Sequence, residues 1–173
     1  MVLDSYYFQK AQMSHQIQLR ILVFLFSFVP VSIGLAQDKL APDFVISDQQ
    51  LPNKLSALKG QVVYLDFWAS WCKPCRKSFP WMNKMQQKYG SQGLNIIAIN
   101  LDTEKALAKT FLEKVPADIP IIYDPEGKIA SNYQLVGMPS SYLIDKKGKI
   151  RFSHKGFFSR SLATYEQEIM LLL

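Results

Sequence analysis

Residues 62–76 read VVYLDFWASWCKPCR, and no other stretch limits the possible folds so tightly. Val62, Val63, Tyr64, Leu65, Phe67 and Trp68 form a β-branched and aromatic run that predicts a strand. A short turn, a C-x-x-C pair and a segment of helical spacing follow. The pattern is a strand that hands two thiols to the start of a helix. Disulfide geometry needs Cα atoms about 4.4 to 6.8 Å apart, and residues three positions apart across a first helical turn meet that condition. A thiolate placed there sits among unpaired backbone N–H groups at the positive end of the helix dipole, which lowers its pKa. Reversible redox chemistry is the first expectation.

The 173-residue chain is long enough to bury a real core, and 49% hydrophobic with 20% charged residues excludes both a disordered chain and a disulfide-stapled miniature. Its net charge of +6 is spread over 20 Lys and Arg without a dense block, which argues against a nucleic-acid partner. Cys72 and Cys75 are the only cysteines, so all sulfur chemistry lies in one motif.

Residues 13–36 follow signal-peptide grammar: a short polar start ending in Arg20, an apolar run from Ile21, and Gly34 and Ala36 before a cleavage point at Gln37. The 15 residues Ile21 to Leu35 are interrupted by Ser27, Pro30, Ser32 and Gly34, whereas a spanning helix needs about 20 apolar residues. Cleavage is therefore favoured, with an uncleaved anchor as the rival. Residues 1–12 do not fit this grammar, and Met13 reads as the better initiator. The expected organisation is a signal in 1–36 and one exported domain in 37–173, periplasmic or otherwise outside the cytoplasm.

Along that domain, Pro42 predicts an extended entry and Phe44 to Ile46 a short strand. The helix after Cys72 continues through Phe79, Met82, Met85 and Tyr89, with a kink expected at Pro80. Leu94 to Leu101 reads as a strand covered on both faces, so strand, helix and strand make a parallel crossover. Glu104 to Val115 predicts a helix burying Leu107, Phe111 and Val115. Ile119 to Tyr123 predicts a strand, Asp124 to Gly127 a turn and Lys128 to Gln134 a short helix. After Val136-Gly-Met-Pro139, SSYLID and KIRFSH pair as a hairpin, and a final helix from Ser159 buries Leu162, Tyr165, Ile169 and Leu172 or Leu173.

YLDFWASWCKPC, Pro80 five residues after the second Cys, APDF near residue 41, and GMPSSYLID together resemble thioredoxin-fold proteins. More narrowly they resemble the extracytoplasmic thiol-disulfide oxidoreductases that include the TlpA, ResA and cytochrome c maturation reductases. The resemblance spans residues 40–173. It implies an α/β fold with a central mixed sheet flanked by helices. Residues 104–134 would form an insertion between the central βαβ unit and the strand after a cis-proline. It further implies that Cys72 is the exposed nucleophile, Cys75 the buried resolving thiol, Asp66 the carboxylate that assists proton movement at Cys75, and Pro139 the cis-proline facing the disulfide. Met138 would supply backbone for substrate pairing, and a membrane thiol transporter would supply electrons. Two departures stand out: no counterpart of the thioredoxin Lys that partners the buried Asp, and no acidic residue just after the proline.

A static clip is the plain alternative for the cysteines, but a four-residue loop constrains little of the unfolded chain. A Cu(I) carrier using the two thiolates is the rival from another class, because a soft ion suits two sulfurs. A peroxiredoxin-like antioxidant would need a Thr-x-x-Cys site, and Trp71-Cys72-Lys73-Pro74-Cys75 lacks that Thr. No metal and no organic cofactor is expected. Alternation puts Tyr64, Asp66 and Trp68 on one face of the strand, so a covered sheet would trap the carboxylate and raise its pKa, as suits a proton acceptor. Lys73, Arg76 and Lys77 place cations where the helix dipole disfavours them, and Lys73 is a candidate for tuning the thiol. Pro74 fits an early helical φ and stiffens the loop. Trp71 reads as an exposed platform beside the nucleophile, Trp68 as core, Trp81 as either, and His154 as a surface strand residue.

Overall fold

The computed structural model describes residues 39–47 and 51–173, so the signal assigned to 1–36 lies outside the described residues. Six strands form one mixed sheet: β1 (Lys39–Leu40), β2 (Val62–Trp68), β3 (Leu94–Asn100), β4 (Ile121–Tyr123), β5 (Ser140–Ile144) and β6 (Lys149–Lys155), in the order β1-β6-β5-β2-β3-β4. β2, β3 and β4 run parallel, β5 is antiparallel to β2, and β6 and β1 continue the antiparallel side. Four α-helices accompany them: α1 (Cys75–Tyr89), α2 (Lys105–Lys114), α3 (Lys128–Asn132) and α4 (Leu162–Leu172). α1 runs through Pro80 without interruption.

β2 is central because every one of its seven residues is buried, which only a strand with neighbours on both edges and layers on both faces allows. The predicted alternation holds. Val62, Tyr64 and Trp68 face a cluster with Phe79, Met82 and Met85 of α1, Phe111 of α2, and Tyr165 and Ile169 of α4. Val63, Leu65 and Phe67 face a second cluster with Ile97, Ile99, Ala130, Tyr133 and the 3₁₀ turn Leu55–Leu58. α2, β4 and α3 are the expected insertion between β3 and the strand after Pro139.

Three local expectations are corrected. Phe44 to Ile46 makes only a single bridge, Val45 to Lys54, while the edge strand is Lys39–Leu40, paired with Ile150 and Lys149. The Asp43 carboxylate accepts from the Ser56 N–H and hydroxyl and from the Phe44 N–H, tying the start of this segment to the 3₁₀ turn Leu55–Leu58 instead of to a strand. On α2 the buried face carries Ala108 and Phe111, while Leu107 stays 46% exposed and Val115 only half-buried. The small Ala108 lets the helix lie close to the cluster, and that turns Leu107 outward. β4 begins at Ile121 rather than Ile119, which is buried just before it.

Candidate active site

β2 ends at Trp68, and the turn that follows brings Cys72 and Cys75 to the amino end of α1. The two sulfurs are bonded at 2.03 Å, with Cα atoms 5.4 Å apart, inside the range foreseen from spacing. Pro74 occupies the N-cap position with φ −64° and ψ −29°, so its ring angle already matches the helix it starts. The backbone of this turn is more fully bonded than a bare helix start. The N–H groups of Cys75, Arg76 and Lys77 donate to the carbonyls of Cys72, Lys73 and Pro74. The expectation of several unpaired N–H groups around the thiol is thus corrected: i to i+3 bonding has consumed them. A second correction concerns Cys72, which is only 4% exposed as a residue, because the closed disulfide lies against the α1 cluster; Cys75 is fully buried, as the resemblance implied.

The loop before the cysteines is held by a group that sequence patterning did not single out. Asp102, just past β3, is buried and accepts from the Ser70 N–H at 2.9 Å, the Ser70 hydroxyl at 2.8 Å and the Asn100 amide at 2.8 Å. The only cue in the sequence is an Asp after an apolar strand, which ordinarily marks a turn. Trp71 extends from this loop 68% exposed, as expected of a platform, whereas Trp68 and Trp81 are both buried.

The other half of the site comes from β5. The Met138–Pro139 peptide is cis, and Pro139 is buried. Phe67 pairs with Ser140 across the β2–β5 ladder, which sets the end of β2 and the start of β5 side by side. Among the described residues the Met138 N–H and C=O have no hydrogen-bond partner, so this backbone is open for pairing, while Pro139 C=O is taken by Gly156 N–H at 2.7 Å. A groove runs beside it, lined by Lys73, Pro74, Lys77, Met138, Pro139 and Phe158 among others. Lys73 and Lys77 are exposed there, but Arg76 is turned away, its guanidinium 4.9 Å from the Phe111 ring centre. That contact offsets part of the dipole conflict noted in the sequence.

Asp66 is 1% exposed, on the same face of β2 as Tyr64 and Trp68, the face that also covers Cys75. Its Oδ2 has no hydrogen-bond partner and no cation pairs with it among the described residues. Loss of hydration holds its carboxyl well above the usual carboxylate range. Tyr64 is raised well above the usual phenol range, by its own burial first and by the Asp66 charge second. His154, read as a surface residue, is instead half-buried between Ser141 of β5 and Glu168 of α4, because β6 lies under that helix.

A sheet of this order, a dithiol at the head of α1 and a cis-proline across from it define a thioredoxin-fold thiol-disulfide oxidoreductase. The AhpC/TSA family model matches residues 38–153, and the chain belongs to that family, in its TlpA/ResA-like branch. The thiol-disulfide oxidoreductase ResA of Bacillus thuringiensis is 39% identical over 119 residues, 68% of this chain and 69% of that protein. ResA of Bacillus subtilis is 34% identical over 118 residues, 68% of this chain and 66% of that protein. A crystal structure from Chlorobium tepidum, described as the thiol:disulfide interchange protein DsbE, superposes with a TM-score of 0.74. It is 46% identical and covers 79% of this chain and 96% of its own. The chemistry is dithiol-disulfide exchange at Cys72 and Cys75.

Proposed function

We propose that the protein works as a reductase of disulfides in exported partner proteins. The observation that carries this is the unpaired Met138 backbone next to the cis-proline and the Cys72–Cys75 pair, a short edge on which an extended partner segment adds as a strand. In the reduced enzyme the Cys72 thiolate attacks one sulfur of the partner's disulfide. A mixed disulfide forms and the partner's other sulfur leaves as a thiolate. Asp66 takes the Cys75 proton; the Cys75 thiolate attacks Cys72, closes the intramolecular disulfide and releases the second partner sulfur. Two electrons pass from enzyme to partner. Lys73 and the α1 dipole favour the Cys72 thiolate, Pro74 stiffens the turn, and Trp71 flanks the partner chain. The redox-active disulfide serves as the only cofactor.

Electrons to reopen the disulfide come, on this reading, from a membrane thiol donor, because an oxidising compartment would otherwise leave the enzyme closed. The signal in 1–36 would deliver it there. Among the described residues no helix is long and apolar enough to cross a membrane. Expression of Cys75→Ser in the exporting host is expected to trap partners covalently on Cys72, recoverable only with reductant. An absence of trapped partners, with stoichiometric Cu(I) binding by the unmodified protein, would sink the reductase reading. A reduction potential far above the glutathione range would reverse the direction of electron flow.

A further inference from the structure

Two grooves meet at the Met138–Pro139 peptide and share Gly156 as a further wall. One continues toward the start of α1, where Lys73 and Lys77 line it. The other continues toward the end of β6, where Lys155 lines it. Strand register fixes Lys155 there, since it pairs with Ser140, the residue after the cis-proline. All three lysines are exposed. Arg160 adds a cation at the rim, its guanidinium 4.8 Å from the ring centre of Phe158, which lines the first groove. Among the described residues no Asp or Glu lines either groove.

Elsewhere on the surface cations are matched: Lys88 pairs with Glu166, Lys128 with Glu126 and Arg151 with Asp145. Lys73, Lys77 and Lys155 have no such partner among the described residues. The first turn of α1 carries no acidic residue either, so the positive end of its dipole adds to the lysines instead of being offset. Like charges gathered around one open backbone edge repel each other and favour an anion laid among them. In an extended segment, side chains two positions apart point the same way and lie about 7 Å apart. With a client cysteine turned toward Cys72, the residues two positions before and after it reach the two grooves. We propose that the client segment is acidic, with Asp or Glu flanking its cysteine, one carboxylate meeting Lys77 and the other Lys155. This specificity rests on the reading of the Met138 edge as the place where a partner segment adds as a strand. Exposed ion pairs contribute little to holding a complex, so the lysines act mainly by steering acidic segments to the disulfide and turning basic ones away.

The test uses the reduced protein and three disulfide-linked fluorescent peptides that differ only in the residues two positions from the cysteine, which are Asp, Asn or Lys. Second-order rate constants for their reduction are measured by stopped flow. At about 0.01 M salt, where the screening length is about 30 Å, they are expected to fall in the order Asp, Asn, Lys, with about tenfold between first and last. At about 1 M salt, where that length is about 3 Å, the spread is expected to collapse. Lys77→Glu combined with Lys155→Glu is expected to invert the order at low salt. A change in Cys72 reactivity scales all three peptides alike, so tuning of the thiol by the lysines does not produce an inversion. Equal rates for the three peptides at low salt, or an order unchanged in the double variant, overturn the proposal. Should that variant not fold, the salt series of the unmodified protein decides alone. Failure of the reductase reading is separately visible: the oxidised protein would then take electrons from reduced peptides faster than the reduced protein gives them up, with the charge order intact. No exchange with any peptide in either direction overturns both.

Discussion

A carboxyl group in a strand whose seven residues are all buried works against folding whenever it is ionised. Asp66 has its folded pKa raised by burial, so the folded state holds its proton at pH values where the unfolded chain, with an aspartate near pKa ~3.9, has lost it. Its contribution is therefore most favourable below that value and is lost as pH rises through the raised folded value. Asp66→Asn is expected to remove this decline, so that denaturant midpoints of variant and parent converge at pH 4 and the variant is the more stable at pH 8. The same substitution is expected to slow resolution of the mixed disulfide on the order of a hundredfold, the scale of a lost general base, measured by stopped-flow release of a model partner. Burial of Asp66 was legible because alternation within a continuous apolar run leaves a carboxylate no exit. The placing of Ser141 of β5 directly beside it was not, because the two lie 75 positions apart and meet only through strand register.

At the scale of elements, the site is a loop clamped at both ends. Behind the cysteines, α1 is pinned by Phe79, which lies edge-on to Trp68 with ring centres 4.9 Å apart and packs on Phe111 at 5.4 Å. Phe79→Ala is expected to cost about 3 to 5 kcal/mol in equilibrium unfolding. In front of the cysteines, the Asp102 carboxylate fixes Ser70. Asp102→Ala leaves the Ser70 N–H and the Asn100 amide without their acceptor and is expected to cost about 2 to 4 kcal/mol, since hydrogen bonds to a charged group contribute about 1.5 to 3 kcal/mol. Calorimetry would check it, and a loss below 0.5 kcal/mol would place the clamp elsewhere. The β2–turn–α1 unit was readable because its signals are local: β-branched run, Pro at the helix start, apolar spacing of three and four. The two-residue β1 carries no such signal, and its place depends on β6, more than a hundred positions away.

For the molecule as a whole, the sheet brings a segment near residue 70 against one near residue 138 by making β2 and β5 antiparallel neighbours. The insertion that separates them in sequence, α2 to α3, packs away on the two faces, so chain length between the halves does not loosen them. The order of elements was legible from the alternation of strand and helix patterns, and the joining of the halves came from resemblance rather than spacing. Around that junction stand Trp71, Val136 and Phe158, exposed at 68%, 79% and 43%. Each aromatic ring can bury at most about 150 to 250 Å² against a partner, and a lasting protein interface needs about 800 Å² on each side. Three side chains do not reach that area. On the proposed reading the protein grips its clients with a sulfur–sulfur bond and lets them go by breaking it, so that its dwell time on each client follows thiol reactivity rather than the breadth of a surface.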